Sequence, residues 1–117
     1  MKYTIDRQTW RRGGDSKESN DKFGNTYLLN PKGFMCCLGQ CLLQEGISKD
    51  RLLSIEIPQD VDLNSSFVRR SFEGFLDTSL SIKAMAVNDD PSYSDKAREE
   101  ELTKLFKQNN LELEFIN

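Results

Sequence analysis

Three cysteines, Cys36, Cys37 and Cys41, bunch within six residues and are the strongest nucleophiles the chain has. At the start of a helix, exposed N–H groups favour a thiolate, so Cys36 and Cys37 are candidate thiols for an enzyme or a sensor. Their neighbours Met35, Leu38 and Leu42 argue for the blander outcome, because free cysteine packs as a small core hydrophobe. Cys37 and Cys41 lie four apart, so one helical face offers two thiolates. A closed zinc site needs four ligands, and no second cysteine pair exists to supply them unless another chain completes it. Neither a metal site nor a cofactor is therefore expected. An odd, clustered set of cysteines is no disulfide framework either, which points to a reducing compartment, the cytoplasm of a host cell.

The chain contains no histidine. That removes Ser-His and Cys-His pairs, histidine general bases and every histidine-containing zinc site. An enzyme built from this sequence would have to run on carboxylates, Lys, Tyr or Cys, and no catalytic set stands out. The stretch Asn88–Glu101 holds Asp89, Asp90, Asp95, Glu99, Glu100 and Glu101, but not at calcium-loop spacing, and acids there suit turns and first helical turns. Asn88, Asp89 and Asp90 at its start remain candidate contact residues. Arg7, Trp10, Arg11 and Arg12 form the better set, an aromatic among three cations, the residue types that dominate interface hot spots and stack on bases or nucleotides. The competing reading is a tryptophan at the core edge with solvated arginines around it. Gly13-Gly14 is followed by acid and serine, so it is no phosphate loop.

The charge balance narrows the partners. With 16 basic and 19 acidic residues in 117, the formal charge is -3, which opposes direct DNA binding through phosphate neutralisation. Residues 1–58 carry nine basic and seven acidic groups, while residues 59–117 carry seven and twelve. That asymmetry is weak enough for salt to screen. No apolar run reaches the roughly 18 residues of a spanning helix, and no signal-peptide core is visible at the start, so no membrane association is expected.

The elements that position these residues follow from periodicity. Tyr3–Asp6 and Asn25–Leu29 read as strands, and Gly13 to Gly24 as a mobile polar loop. Asn30–Gly33 is a turn leading into a nearly buried core helix over Phe34–Glu45, where Gly39 allows close approach and Gly46 ends the helix. Ser48 opens a short turn through Leu53, and Ile55–Pro58 is extended. A helix carrying Phe67, Val68, Phe72, Phe75 and Leu76 opens at Asn64 or Ser65. Leu80–Val87 is read as helix, and Asn88–Pro91 breaks the chain. Ser94 caps a helix over Asp95–Gln108 with an inward stripe of Ala97, Leu102, Leu105 and Phe106, and Leu111–Phe115 alternates as a strand. With no repeat or linker, residues 1–117 make one α+β domain, three to four helices packed on a small, mostly antiparallel sheet.

Taken in order, Trp10-Arg11-Arg12-Gly13, Leu28-Leu29-Asn30, Gly33-Phe34-Met35-Cys36-Cys37-Leu38-Gly39, Asn88-Asp89-Asp90, Arg98-Glu99 and Leu113-Glu114-Phe115 resemble a group of small phage and prophage proteins. The group shares a W-x-R-G start, an M-C-C-L-G core and an N-D-D…R-E…F ending. The resemblance carries no activity residue by residue; it implies an accessory protein made in an infected bacterial cell. The expected function is non-enzymatic binding of a host or phage macromolecule, a protein first of all, in the manner of an anti-defence or regulatory inhibitor. A small-molecule or nucleotide binder and a thiol enzyme or sensor are the alternatives.

Overall fold

A computed structural model describes residues 2–13, 27–55 and 78–117. In chain order these form β1 (Lys2–Asp6), α1 (Cys37–Gln44), α2 (Lys49–Leu52), α3 (Thr78–Asp89), α4 (Asp95–Lys107) and β2 (Glu112–Ile116). The class is α+β, with four helices among the described residues and a two-stranded sheet. One expectation is corrected: the sheet is parallel, Lys2 pairing with Glu112 and Asp6 with Ile116. The two strands lie at opposite ends of the sequence, so the helices between them serve as one long crossover, as a parallel pair requires.

Other expectations shift for local reasons. The strand expected over Asn25–Leu29 reduces, within the described residues, to a bridge between Leu29 and Leu53. The core helix starts at Cys37 rather than Phe34, because Met35 stays extended to bond the N-terminal segment. Its N–H donates to Thr9 C=O at 2.9 Å, and its C=O accepts from Arg11 N–H at 2.7 Å. Cys36 then takes the N-cap position, its Sγ accepting from Gly39 N–H at 3.4 Å. Ser48 precedes α2, although its hydroxyl makes no cap bond, while Ser94 does cap α4 by accepting from Ala97 N–H. The expected helix at Leu80–Val87 forms and runs on through Asp89, so the break falls at Asp90-Pro91. The polar loop after Gly13 and the helix expected from Asn64 or Ser65 lie outside the described residues, as does the extended segment beyond Ile55.

The core gathers Tyr3 and Ile5 of β1, Leu38, Cys41 and Leu42 of α1, Leu80 and Ala84 of α3, and Leu102 and Phe106 of α4. Tyr3 brings a hydroxyl into this layer and donates it to Glu45; burial, then that bond, pushes its phenol pKa upward. The outer edge of β1 is sealed by side chains of α1 acting as a surrogate strand. Thr4 N–H donates to Gln44 Oε1 at 2.8 Å and Asp6 N–H to Gln40 Oε1 at 2.7 Å. In return Gln44 Nε2 donates to Thr4 C=O and Gln40 Nε2 to Asp6 C=O, at 2.7 and 3.1 Å. These amides satisfy backbone groups that would otherwise template aggregation.

α1 reaches this position because Gly39 has no side chain. A Cβ there would sit 1.8 Å from the Leu28 carbonyl oxygen, against backbone that cannot rotate away. Gly39→Ala is expected to destabilise the protein by about 3 kcal/mol or more, read as a lower urea midpoint at unchanged slope. An unchanged midpoint would mean that α1 does not lie against Leu28.

Candidate functional site

The two sequence-predicted contact sets come together in space. A turn after β1, closed by Thr9 N–H donating to Asp6 C=O, delivers Trp10 to its bridge with Met35 and points the indole inward, 3% exposed. Trp10 Nε1 donates to Asn88 Oδ1 at 2.7 Å, and Cys37 N–H donates to the same oxygen at 3.0 Å. Asn88 Nδ2 donates to Arg11 C=O at 3.0 Å and to Asp89 Oδ1 at 2.9 Å. Two donors face the oxygen and two acceptors face the nitrogen, which fixes the orientation of the carboxamide. The side chain is fully buried, and each of its hydrogen-bonding atoms is used twice.

Asn88 sits in the last turn of α3, where carbonyls lack partners within the helix. Ala86 C=O accepts from Asp90 N–H, and Asn88 C=O accepts from Gly13 N–H at 2.8 Å. Gly13 makes that bond from a left-handed conformation, φ +79, beside the Arg98 guanidinium. Arg98, 2% exposed, supplies the rest: Nε donates to Val87 C=O at 3.2 Å, and Nη2 donates to Asp90 C=O and Tyr93 C=O at 2.6 and 3.0 Å. Its Nη1 donates to Asp95 at 2.9 Å. A buried cation at the negative end of a helix macrodipole is favourably placed. Sequence reasoning did not select Arg98 as a site residue. The available signal was its spacing of four from Leu102 and seven from Leu105, which sets a charge in line with the inward stripe.

Around the buried knot runs a charged rim. Arg7 forks onto Glu99 at 2.9 and 2.7 Å, and Arg12 onto Asp95 at 3.1 and 3.3 Å. The Arg12 guanidinium lies 4.5 Å from the Trp10 ring centre, and Phe115 packs on the same indole at 5.2 Å. Arg12, with Arg98 behind it, holds the Asp95 carboxyl below the usual carboxylate range; the Ser92 hydroxyl and N–H do the same for Asp90. Trp10 and Asn88 therefore lie beneath the surface, and it is Arg7, Arg12, Glu99 and Asp95 that face outward.

The three thiols are buried. Desolvation pushes Cys36 up to about 12, the Gly39 N–H only partly opposing it, and raises Cys37 and Cys41 well above the ordinary thiol value. Burial thus outweighs the helix-terminus effect. No group of three His, Cys, Asp or Glu side chains among the described residues is placed to hold a metal ion. No helix among those residues is long and apolar enough to cross a membrane. Comparison with protein-family models, curated proteins and solved structures found no match for this chain.

Asn88→Asp keeps the shape but turns a charged oxygen toward Arg11 C=O and the Asp89 carboxylate. It is expected to cost about 3 kcal/mol or more, on the order of 10 °C in Tm, in thermal unfolding at neutral pH. A Tm within a degree or two of the parent would mean the carboxamide knot is not formed. For the thiols, iodoacetamide at pH 8 should react on the order of a thousandfold more slowly with the native chain than with the urea-unfolded chain, which exposes ordinary thiols. The raised native values also mean that stability falls as pH climbs through the unfolded thiol pKa, since only the unfolded chain then sheds protons. One thiol alkylated rapidly in the folded protein would contradict this placement.

Proposed function

We propose that this chain is a non-enzymatic binding protein that engages a host or phage macromolecule, a protein before a nucleic acid, as an accessory inhibitor or anti-defence factor in the cytoplasm of a bacterial cell. The observation that carries the reading is the use made of its chemistry-bearing residues. Trp10, Asn88 and Arg98 are spent on one another and on backbone carbonyls, while the cysteines are buried as neutral thiols. Among the described residues, what this cluster presents outward is a rim of ion pairs. Arg7 and Arg12 are each already held by a carboxylate, so they offer little free positive charge to phosphates, in keeping with the net charge of -3. Such fixed ion pairs over a buried indole suit a recognition surface rather than a reaction centre. The phage-type resemblance supplies the setting, and every part of its quoted pattern from Trp10-Arg11-Arg12-Gly13 to Phe115, apart from Leu28-Leu29-Asn30 and the leading Gly33-Phe34, contributes a residue to this one cluster.

The test is native mass spectrometry of the tagged chain recovered from a bacterial cell expressing it, beside a denatured control. The expected result is the 13.5 kDa chain carrying a second macromolecule in fixed stoichiometry. The bare chain alone would overturn the reading, and added mass of a few hundred daltons would replace it with small-molecule binding. Arg12→Glu, which opposes Asp95 across the rim, should weaken a rim-mediated complex about tenfold or more.

A further inference from the structure

The two edges of the small sheet are treated differently. α1 seals the outer edge of β1 with Gln40 and Gln44, whereas no described element pairs with the outer edge of β2. Arg7 N–H donates to Ile116 C=O at 3.0 Å, so in this parallel register the backbone groups of Glu112, Glu114 and Ile116 point at β1. By the alternation of a strand, the N–H and C=O groups of Leu113 and Phe115 point the other way. No hydrogen bond among the described residues reaches those four groups. At the start of β2, lined by Leu111 to Glu114 with Thr103 and Lys107 of α4 and Lys2 of β1, lies a groove of about 410 Å³. Leu113 and Phe115 are half-buried on the core side of β2, and Glu112 and Glu114 are exposed on the other.

We infer that the β2 edge is a docking site for an extended segment of a partner protein in which Lys or Arg alternates with apolar residues, added to the sheet as a third strand. This deepens the reading of the chain as a macromolecule-binding protein and rests on it. An added strand takes its affinity from main-chain bonds, here the four groups of Leu113 and Phe115, and its specificity from alternate side chains. Residues on the core side would extend the half-buried apolar strip of Leu113 and Phe115. Residues on the other side would lie within cross-strand reach of two carboxylates. Glu114 already meets Lys2 at 3.1 Å across the sheet, while Glu112 has no ion pair among the described residues and is open to an incoming cation. The same charges disfavour a second copy as the occupant. The antiparallel register that overlaps two β2 strands most fully sets Glu114 against Glu114 of the other copy, and like charges directly opposed are destabilising.

The experiment uses the purified chain and a fluorescein-labelled hexapeptide alternating Lys and Val, read by anisotropy. Saturable binding is expected with a Kd on the order of 100 μM, weakening with salt. Two further peptides carry backbone N-methyl groups on alternate residues, one on the Val positions and one on the Lys positions. Strand addition predicts that one of them loses about tenfold or more in affinity and the other little, the sensitive set telling antiparallel from parallel docking. Glu112→Lys, at an exposed side chain, should weaken the Lys-Val peptide about tenfold and admit a Glu-Val peptide instead. Equal loss from both methylation patterns, no saturation at millimolar peptide, or a dimer of the chain that peptide does not dissociate would each overturn the proposal. If the peptides fail while the chain still carries a macromolecule in native mass spectrometry, only the edge assignment falls. If that complex is also absent, the binding reading falls with it.

Discussion

The described fold hangs on one carboxamide. Asn88 receives hydrogen bonds from the Trp10 indole and the Cys37 backbone and gives its own to Arg11 C=O and Asp89, so three chain segments meet at a single side chain. A buried polar group of this kind is costly if half satisfied and rigidifying when complete. Here it is complete, and it fixes relative positions that apolar contact alone leaves adjustable. The N-terminal segment, the start of α1 and the end of α3 are locked in one register, and the apolar core fills the space between them.

Arg98 extends that lock into α4. By collecting the Val87, Asp90 and Tyr93 carbonyls it ties the end of α3 to the turn before α4 and to α4 itself. The outward ion pairs of Arg7 with Glu99 and Arg12 with Asp95 repeat the theme at the surface. Exposed pairs are individually worth little, but these two are forked and flank a buried aromatic, which favours their geometry.

Much of this was legible beforehand because local rules and the final packing agree. The period of Leu38, Cys41 and Leu42, the caps at Ser94 and Gly46, and the alternation of Leu113 to Phe115 all appear where residue pattern places them. What was not legible came from partners distant in sequence. α1 begins three residues late because Met35 is claimed by Thr9 and Arg11, and the strands run parallel because pairing between the two ends of the chain leaves no local trace. Trp10 and Asn88 were visible as unusual residues in two separate runs. That they are for each other follows only once α3 is laid beside the N-terminal segment, since neither run carries a signal for the other. Arg98 hid in a helix whose charged residues otherwise face water.

The parallel pairing also has a kinetic meaning. Joining Lys2 to Glu112 closes a loop of 110 residues, an entropic cost of about 4 kcal/mol from chain length alone. Such a pairing cannot lead folding; the topology is of high contact order, and the sheet must form late, after shorter-range contacts have shortened the effective loop. β1 therefore spends part of the folding reaction without its strand partner. The Gln40 and Gln44 amides engage it through contacts only 34 and 40 residues long, so α1 can shelter one side of β1 from intermolecular pairing before β2 arrives.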